Sequence, residues 1–364
     1  MIWRMTGKAL KLSEIKWAVF LCLFLILMPV FAAADGEYQD VSPGYALTFP
    51  GDFFYRKDFR VQWWYVTGHL FDEKGREFGY ELTFFVVGVQ KREYRSKFGV
   101  DNIYISHFAV SDVKEKKFFF SDAADSGAFD FAGASDSRLR VWVGDDLIEG
   151  TMNKLHISAA DEEKTLDLVL VPSKPVVLHG DRGYSRKSEE SSLMASYYFS
   201  YTNLRTEGSL TVGKKKFRVQ GKSWFDREIS TRGLGKSEVG WDWFSIQLED
   251  EREIMFYLIR NKEGVPGKYS SGTMVYPNGT YRHLPAGDFR ITVLDHYKSE
   301  KTGARYPLGW EIAVPSEALT LTVTPLMRDQ EFSAASSTGN YYWEGTCRVE
   351  GTVKGRAYVE LTGY

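Results

Sequence analysis

Cysteine is almost absent from this chain. Of two cysteines in 364 residues, Cys22 falls in an N-terminal apolar run, so only Cys347 remains beyond it and no intrachain disulfide can staple the folded part. A basic field is missing too: 46 Lys and Arg stand against 48 Asp and Glu, a net charge of −2 at pH 7, which offers nucleic acid nothing to bind. No window carries a helical stripe beyond a single turn. No His-x-His or His-Glu-x-x-His spacing occurs, so neither a metal site nor any other cofactor is expected. Ser106 and Ser185 lie near histidines, but no Gly-x-Ser-x-Gly elbow supports a serine hydrolase.

Long hydrophobic runs are also scarce, and the one present lies at the N-terminus. Arg4, Lys8, Lys11 and Lys16 precede an apolar stretch from Trp17 to Phe31, and Ala32-Ala33-Ala34 offers small residues for cleavage. This reads as a secretory leader over residues 1–34. The run is shorter than the ~20 residues that span a bilayer, which favours removal over retention as an anchor and leaves no membrane span afterwards. Cys22 lies too early in the run to be a lipoprotein cysteine. Losing four bases and the single acid Glu14 takes the charge from −2 to −5. The expected product is exported, periplasmic or associated with the cell envelope.

Aromatic residues, in contrast, make up 15% of the chain. They concentrate in Gln62-Trp63-Trp64-Tyr65-Val66-Thr67-Gly68-His69-Leu70, which alternates as a strand does, with Gly68 the one residue that weakens that reading. Trp63, Tyr65, Thr67 and His69 share one face; Trp64, Val66 and Leu70 share the other. The first face, rings with polar tips, suits an amphipathic or greasy ligand. A shift of 178 positions lays Trp241, Trp243, Ser245, Gln247 and Leu248 on Trp63, Tyr65, Thr67, His69 and Leu70. The chain therefore reads as two similar halves.

Short alternating runs broken by turn residues recur throughout, among them 78–88, 103–110, 138–143, 154–159, 165–171, 195–204, 208–212 and 217–221. The fold class is all-β, with two antiparallel β-barrels or sandwiches. The glycine-rich, charged stretch Arg232 to Val239 is the best linker, dividing the chain into 35–231 and 232–364. A long polar loop, His179 to Lys187, interrupts the first half and is long enough to be functional.

Several strings are specific enough to suggest kinship. Phe49-Pro50-Gly51-Asp52, Gln62 to Gly68, Phe78 to Phe85, His179-Gly180 with Gly183-Tyr184-Ser185, Tyr197-Tyr198, Gly240-Trp241-Asp242-Trp243, Tyr342-Trp343-Glu344-Gly345 and the closing Gly355 to Tyr364 resemble the AttH-like, carotenoid 1,2-hydratase-like family. The resemblance implies two lipocalin-like antiparallel β-barrel domains in tandem. It also implies an exported bacterial protein, with functions across the family ranging from hydration of carotenoid precursors to proteins labelled secreted hydrolases or accompanying ABC transporter components.

Trp224-Phe225-Asp226-Arg227-Glu228 resembles the family's Trp-x-Asp-His-Glu-Trp motif, with Arg227 in place of the histidine and Ile229 in place of the last tryptophan. Alkene hydration needs a desolvated carboxylic acid and ring faces to stabilise a cation. Asp226, Glu228 and Asp242 are the candidate acids. Trp63, Tyr65, His69, His107, His179, Tyr184, Tyr198, Trp224, Trp241 and Trp243 are the candidate ligand contacts, although His107 also suits a buried hydrogen-bonded role. Arg227 opposes acid catalysis if it holds a neighbouring carboxylate ionised, and the competing reading pairs Asp226 and Glu228 with Arg227 or Lys222 as structural ties. Three functions follow. The favoured one is a carrier of a hydrophobic small molecule (a lipid, isoprenoid or polyene) linked to an ABC transport system; the others are a hydratase or isomerase acting on such a molecule and a ligand-free structural interaction protein.

Overall fold

The computed structural model describes residues 38–91 and 99–364; the leader, with Cys22, lies outside them. The first sheet contains β1 (Val61–Asp72), β2 (Glu77–Gly88), β3 (Asn102–Asp112), β4 (Lys117–Asp125), β5 (Ala132–Ala134), β6 (Leu139–Val143), β7 (Asp146–Thr151), β8 (Lys154–Ala160), β9 (Lys164–Pro172), β10 (Val177–Leu178), β11 (Tyr184–Arg186), β12 (Ala195–Val212) and β13 (Lys215–Ser230). The second contains β14 (Glu238–Leu248), β15 (Glu253–Asn261), β16 (Ser271–Val275), β17 (Tyr281–Pro285), β18 (Arg290–Lys298), β19 (Arg305–Val314), β20 (Leu319–Pro325), β21 (Glu331–Ala334), β22 (Asn340–Gly351) and β23 (Gly355–Thr362). Among the described residues the only helical pieces are three-residue 3₁₀ turns.

Both sheets are antiparallel and curl towards closure as lipocalin-like barrels. The first runs β4-β3-β2-β1-β13-β12-β9-β8-β7-β6-β5, with β10 and β11 added to β12; the second runs β17-β16-β15-β14-β23-β22-β20-β19-β18, with β21 added to β22. Side chains bridge the seam of the first: Ser106 of β3 donates to Asp146 of β7 at 2.7 Å, and Lys164 of β9 donates to Ser121 of β4 at 3.0 Å. Two runs that read as separate strands, 195–204 and 208–212, are one strand with a bulge between Tyr201 and Leu204. The run 217–221 continues to Ser230, which brings Trp224 to Glu228 into the sheet.

Alternation sorts the side chains as the strand period dictates. Trp64, Val66 and Leu70 join Phe84, Phe108 and Phe225 in the core of the first barrel, and Phe244, Ile246 and Leu248 join Trp310 and Trp343 in the second. Each barrel is thus filled by its own apolar side chains. The aromatic and polar faces of β1 and β14 do not line barrel interiors. They are the outer faces of their sheets, packed on one another, so that Tyr65, Tyr198 and Trp224 of the first sheet form one cluster with Trp243, Met255 and Tyr257 of the second. Gln247 seals the contact by donating to the carbonyls of Thr202 at 2.8 Å and Ser223 at 3.1 Å.

Gly68 has a packing reason for being in β1. The Tyr80 ring crosses over it so that its hydroxyl meets that of Ser223 at 2.5 Å. A Cβ on Gly68 would lie 2.7 Å from both that ring and the Ser223 hydroxyl and 2.8 Å from the Lys222 carbonyl oxygen, and the backbone atom cannot give way. Gly68→Ala is expected to lower stability by roughly 2–3 kcal/mol in urea denaturation with an unchanged slope. A variant as stable as the parent contradicts this packing.

Candidate functional site

Between the two sheets lies a cavity of about 360 Å³. Strand register sets its walls. On the first sheet Ser200 (β12), Asp226 (β13) and Tyr65 (β1) sit side by side, and the neighbouring row on the same face is Tyr198, Glu228 and Trp63. The second sheet repeats the layout: Trp243 (β14), Glu360 (β23) and Glu344 (β22) form one row, Trp241, Thr362 and Tyr342 the next. Because Tyr65 corresponds to Trp243 in the 178-residue shift, Asp226 and Glu360 occupy equivalent places beside them. Two bonds cross between the sheets at this level. The Tyr65 hydroxyl donates to Glu344, and the Trp243 indole donates to the Tyr198 hydroxyl at 3.0 Å.

Asp226 is buried and accepts three hydrogen bonds: from Tyr198 at 2.8 Å, from the Trp224 indole at 2.6 Å, and from Ser200. Burial pushes its carboxyl up to about 7 even though those three donors pull it back. Behind Ser200 the chain continues to His179 at 2.7 Å and on to Thr273 of the second sheet at 2.8 Å. Glu228, one residue pair away, is ion-paired with Lys187 at 3.3 Å. The Lys187 ammonium also lies 4.9 Å from the ring centroid of Tyr198 and 4.3 Å from that of Tyr257.

Across the cavity, Glu344 is wholly buried, and its carboxyl is driven well above the usual range by burial and then by the charges of Glu81 and Glu360. One oxygen accepts from Tyr65; the other makes no hydrogen bond of good geometry, although the Tyr342 hydroxyl, bonded to His107, lies near enough to help hold the charge. Glu360 is raised to about 7 by burial, against donors from Trp241 and Thr362. Glu81 of β2 is likewise raised well above its usual value by burial.

Of the residues singled out in the sequence, Asp226, Glu228, Trp63, Tyr65, His107, Tyr198, Trp241 and Trp243 line this cavity. The others do not. Asp242 shares the inner face of β14 with Phe244 and is held by Arg260 at 2.9 Å and Tyr364 at 2.8 Å, away from the cavity. Trp224 and His179 stand behind Asp226 as its immediate and second partners, while Tyr184 of β11 donates to the Ser192 carbonyl. His69 lies deeper between the sheets, bonded to Thr346 at 2.8 Å. His107 lines the wall but is spoken for, with Tyr342 at 2.8 Å and Ser337 at 3.0 Å; burial lowers it to about 3, so it stays neutral.

Arg227 does not pair with either acid. Alternation turns it to the opposite face, where its guanidinium lies 3.8 Å from the Trp64 ring centroid and donates to Phe54, Gln62 and Glu228 backbone or amide oxygens. The objection that arginine would hold the acids ionised therefore falls. Glu344 and Glu360 are not among the sequence candidates, and Lys187 enters there only as the last residue of the polar loop His179 to Lys187. Glu344 and Glu360 sit in quoted family strings, as single carboxylates among apolar strand residues, and that was the available signal. Among the described residues no group of three or more His, Cys, Asp or Glu could hold a metal ion.

The AttH-like family matches residues 40–364. This chain belongs to that family. A crystal structure from Nitrosomonas europaea assigned as AttH is 32% identical, covers 90% of the AttH-like chain and 99% of its own length, and superposes with a TM-score of 0.82. Kievitone hydratase from Nectria haematococca shares the fold at 16% identity and a TM-score of 0.67, over 90% of this chain and 96% of its own. The dehydratase asqC of Emericella nidulans is 21% identical over 232 residues, which is 60% of this chain; the AttH-like chain spans 62% of that relative's length.

The arrangement in this AttH-like protein can hold and move protons out of water: buried carboxyls from two sheets face one apolar space, and their environments set them apart. The shift at Glu360 has a consequence for stability. Its folded value exceeds its unfolded one, so the stabilisation relative to the ionised form is complete below about pH 4.5 and is lost as pH rises through 7. Glu360→Gln cannot ionise. Its stability relative to the parent should therefore increase by on the order of 3 kcal/mol between pH 4.5 and 8 in urea titrations. A difference that does not change with pH contradicts the raised titration of this half-buried carboxyl.

Proposed function

We propose that the protein is a lyase of the hydratase–dehydratase kind, adding water to, or eliminating it from, an uncharged apolar molecule bound between the two sheets. One observation carries this reading: Asp226 and Glu344 face the same cavity from opposite sheets, the first an acceptor surrounded by donors, the second an acid with one oxygen that makes no hydrogen bond of good geometry. In the dehydration direction Asp226 takes a proton from the carbon next to the hydroxyl-bearing one. Glu344 gives its proton to the leaving hydroxyl, the electron pair of the C–H bond becomes the C=C bond, and water departs. Hydration is the reverse. Ring faces from Trp63, Trp241 and Trp243 would hold the substrate and ease positive charge developing on carbon.

Relatives named as a hydratase and a dehydratase support the reaction class. The carrier reading shares the same cavity, but it leaves unexplained why carboxyls are buried there at a cost that a merely greasy pocket would avoid. Export by the leader would put the reaction in the cell envelope, where the ABC components implied by the resemblance would deliver or remove the apolar molecule.

The test is incubation with a panel of neutral isoprenoid and aromatic alcohols and alkenes in ¹⁸O-labelled water, followed by mass spectrometry. The expected result is a mass change of one water, with label incorporated on hydration, and a loss of roughly 10²–10⁴-fold in rate for Glu344→Gln and for Asp226→Asn. Tight binding of a panel member with no turnover, unaltered by either substitution, would establish the carrier instead.

A further inference from the structure

We infer that Trp243 of the second sheet is a positioning residue that fixes the direction of hydrogen bonding at Asp226, orienting the Tyr198 hydroxyl so that it donates to the carboxyl whether or not the carboxyl is protonated. The inference deepens the reading of Asp226 as proton acceptor, but its test uses no substrate, so the two can fail separately.

The argument rests on which groups can reverse. An indole N–H can only donate. Trp243 donates to the Tyr198 oxygen at 3.0 Å, so the one proton of Tyr198 is left to point at Asp226 Oδ2, 2.8 Å away. Turning that hydroxyl round would set two protons face to face and leave a buried donor without a partner, which costs more than the replacement bond gains. Trp243 itself has little freedom, with its ring edge-on to those of Tyr65 at 5.1 Å and Trp224 at 6.2 Å. The Trp224 indole, 2.6 Å from Asp226 Oδ1, is a second one-way donor.

The third partner differs. Ser200 both donates and accepts, His179 beyond it can carry its proton on either nitrogen, and the Thr273 hydroxyl can serve either one. Two arms are one-way and one is reversible. A proton taken up by Asp226 therefore has two exits, into the cavity or onto Ser200 and along to His179. The other titratable or charged groups around Asp226 are Tyr65 on β1, Glu228 on β13, held by Lys187, and, across the cavity, Glu344 on β22, Glu360 on β23 and the neutral His107 on β3.

The Trp224 indole N–H reports the ionisation of its acceptor, so its ¹⁵N–¹H shift followed against pH reads the Asp226 titration. Trp243→Phe should raise the midpoint by roughly 0.5–1 unit, because the freed Tyr198 hydroxyl can then accept from protonated Asp226. Tyr198→Phe should raise it as well, and Trp243→Phe should add nothing in that background. Trp241→Phe, which thins the same wall and takes no hydrogen bond from Tyr198, should leave the midpoint in place. A full additional shift in the double variant, or an equal one from Trp241→Phe, overturns the inference. Neutron diffraction of the unaltered protein tests it without relying on any variant's folding: the Tyr198 deuteron should point at Asp226 both below and above the titration, and a deuteron that turns away at low pD overturns it.

Discussion

Each sheet of this protein has two faces to bury and only one barrel interior to put them in. The inner faces are satisfied by aliphatic and aromatic side chains that fill the barrels. The outer faces of the central strands carry rings with polar tips, and they find cover only against the equivalent face of the other sheet. Everything functional follows from that contact. Carboxyls placed there lose water, and each must be matched by donors or keep its proton.

The same contact explains three of the six histidines. His69 reaches Thr346, His107 reaches Tyr342 and Ser337, and His179 reaches Thr273, so all three link the first sheet to the second. Burial lowers all three, and a neutral imidazole that donates with one nitrogen and accepts with the other suits a dry polar seam. The two halves also diverge where chemistry would need them to. Asp226 and Glu360 hold equivalent positions, yet the strand beside Asp226 offers the hydroxyl of Ser200 where the strand beside Glu360 offers the carboxyl of Glu344. One half thereby gathers donors around an acceptor, and the other gathers acids.

Much of this could be read in the sequence, and the limit is physical. The two-residue period in Gln62 to Leu70 and in Trp241 to Leu248 assigns each side chain to its face without ambiguity. It says nothing about what that face meets, so the period alone does not reveal that the ring-bearing sides form the seam between barrels. The same parity places Arg227 opposite to Asp226 and Glu228, but only once β13 is known to run through them to Ser230, and Gly221 reads as a strand end. Asp242 drew attention through its neighbouring tryptophans; parity alone puts it on the other side from Trp241 and Trp243. Glu344 and Glu360 become a pair only through the pairing of β22 with β23, a contact that the period of a single strand does not encode.

The claim on which the account rests is that an apolar molecule lies between the sheets. Photolabelling with a diazirine-bearing isoprenoid alcohol, mapped by peptide mass spectrometry, tests it directly. Labels shared between the β1 and β12–β13 wall, around Trp63 and Tyr198, and the β14 and β22 wall, around Trp241 and Tyr342, are the predicted result. Labels confined to side chains inside one barrel, or to the exposed rings of Phe129 and Phe131, would contradict it.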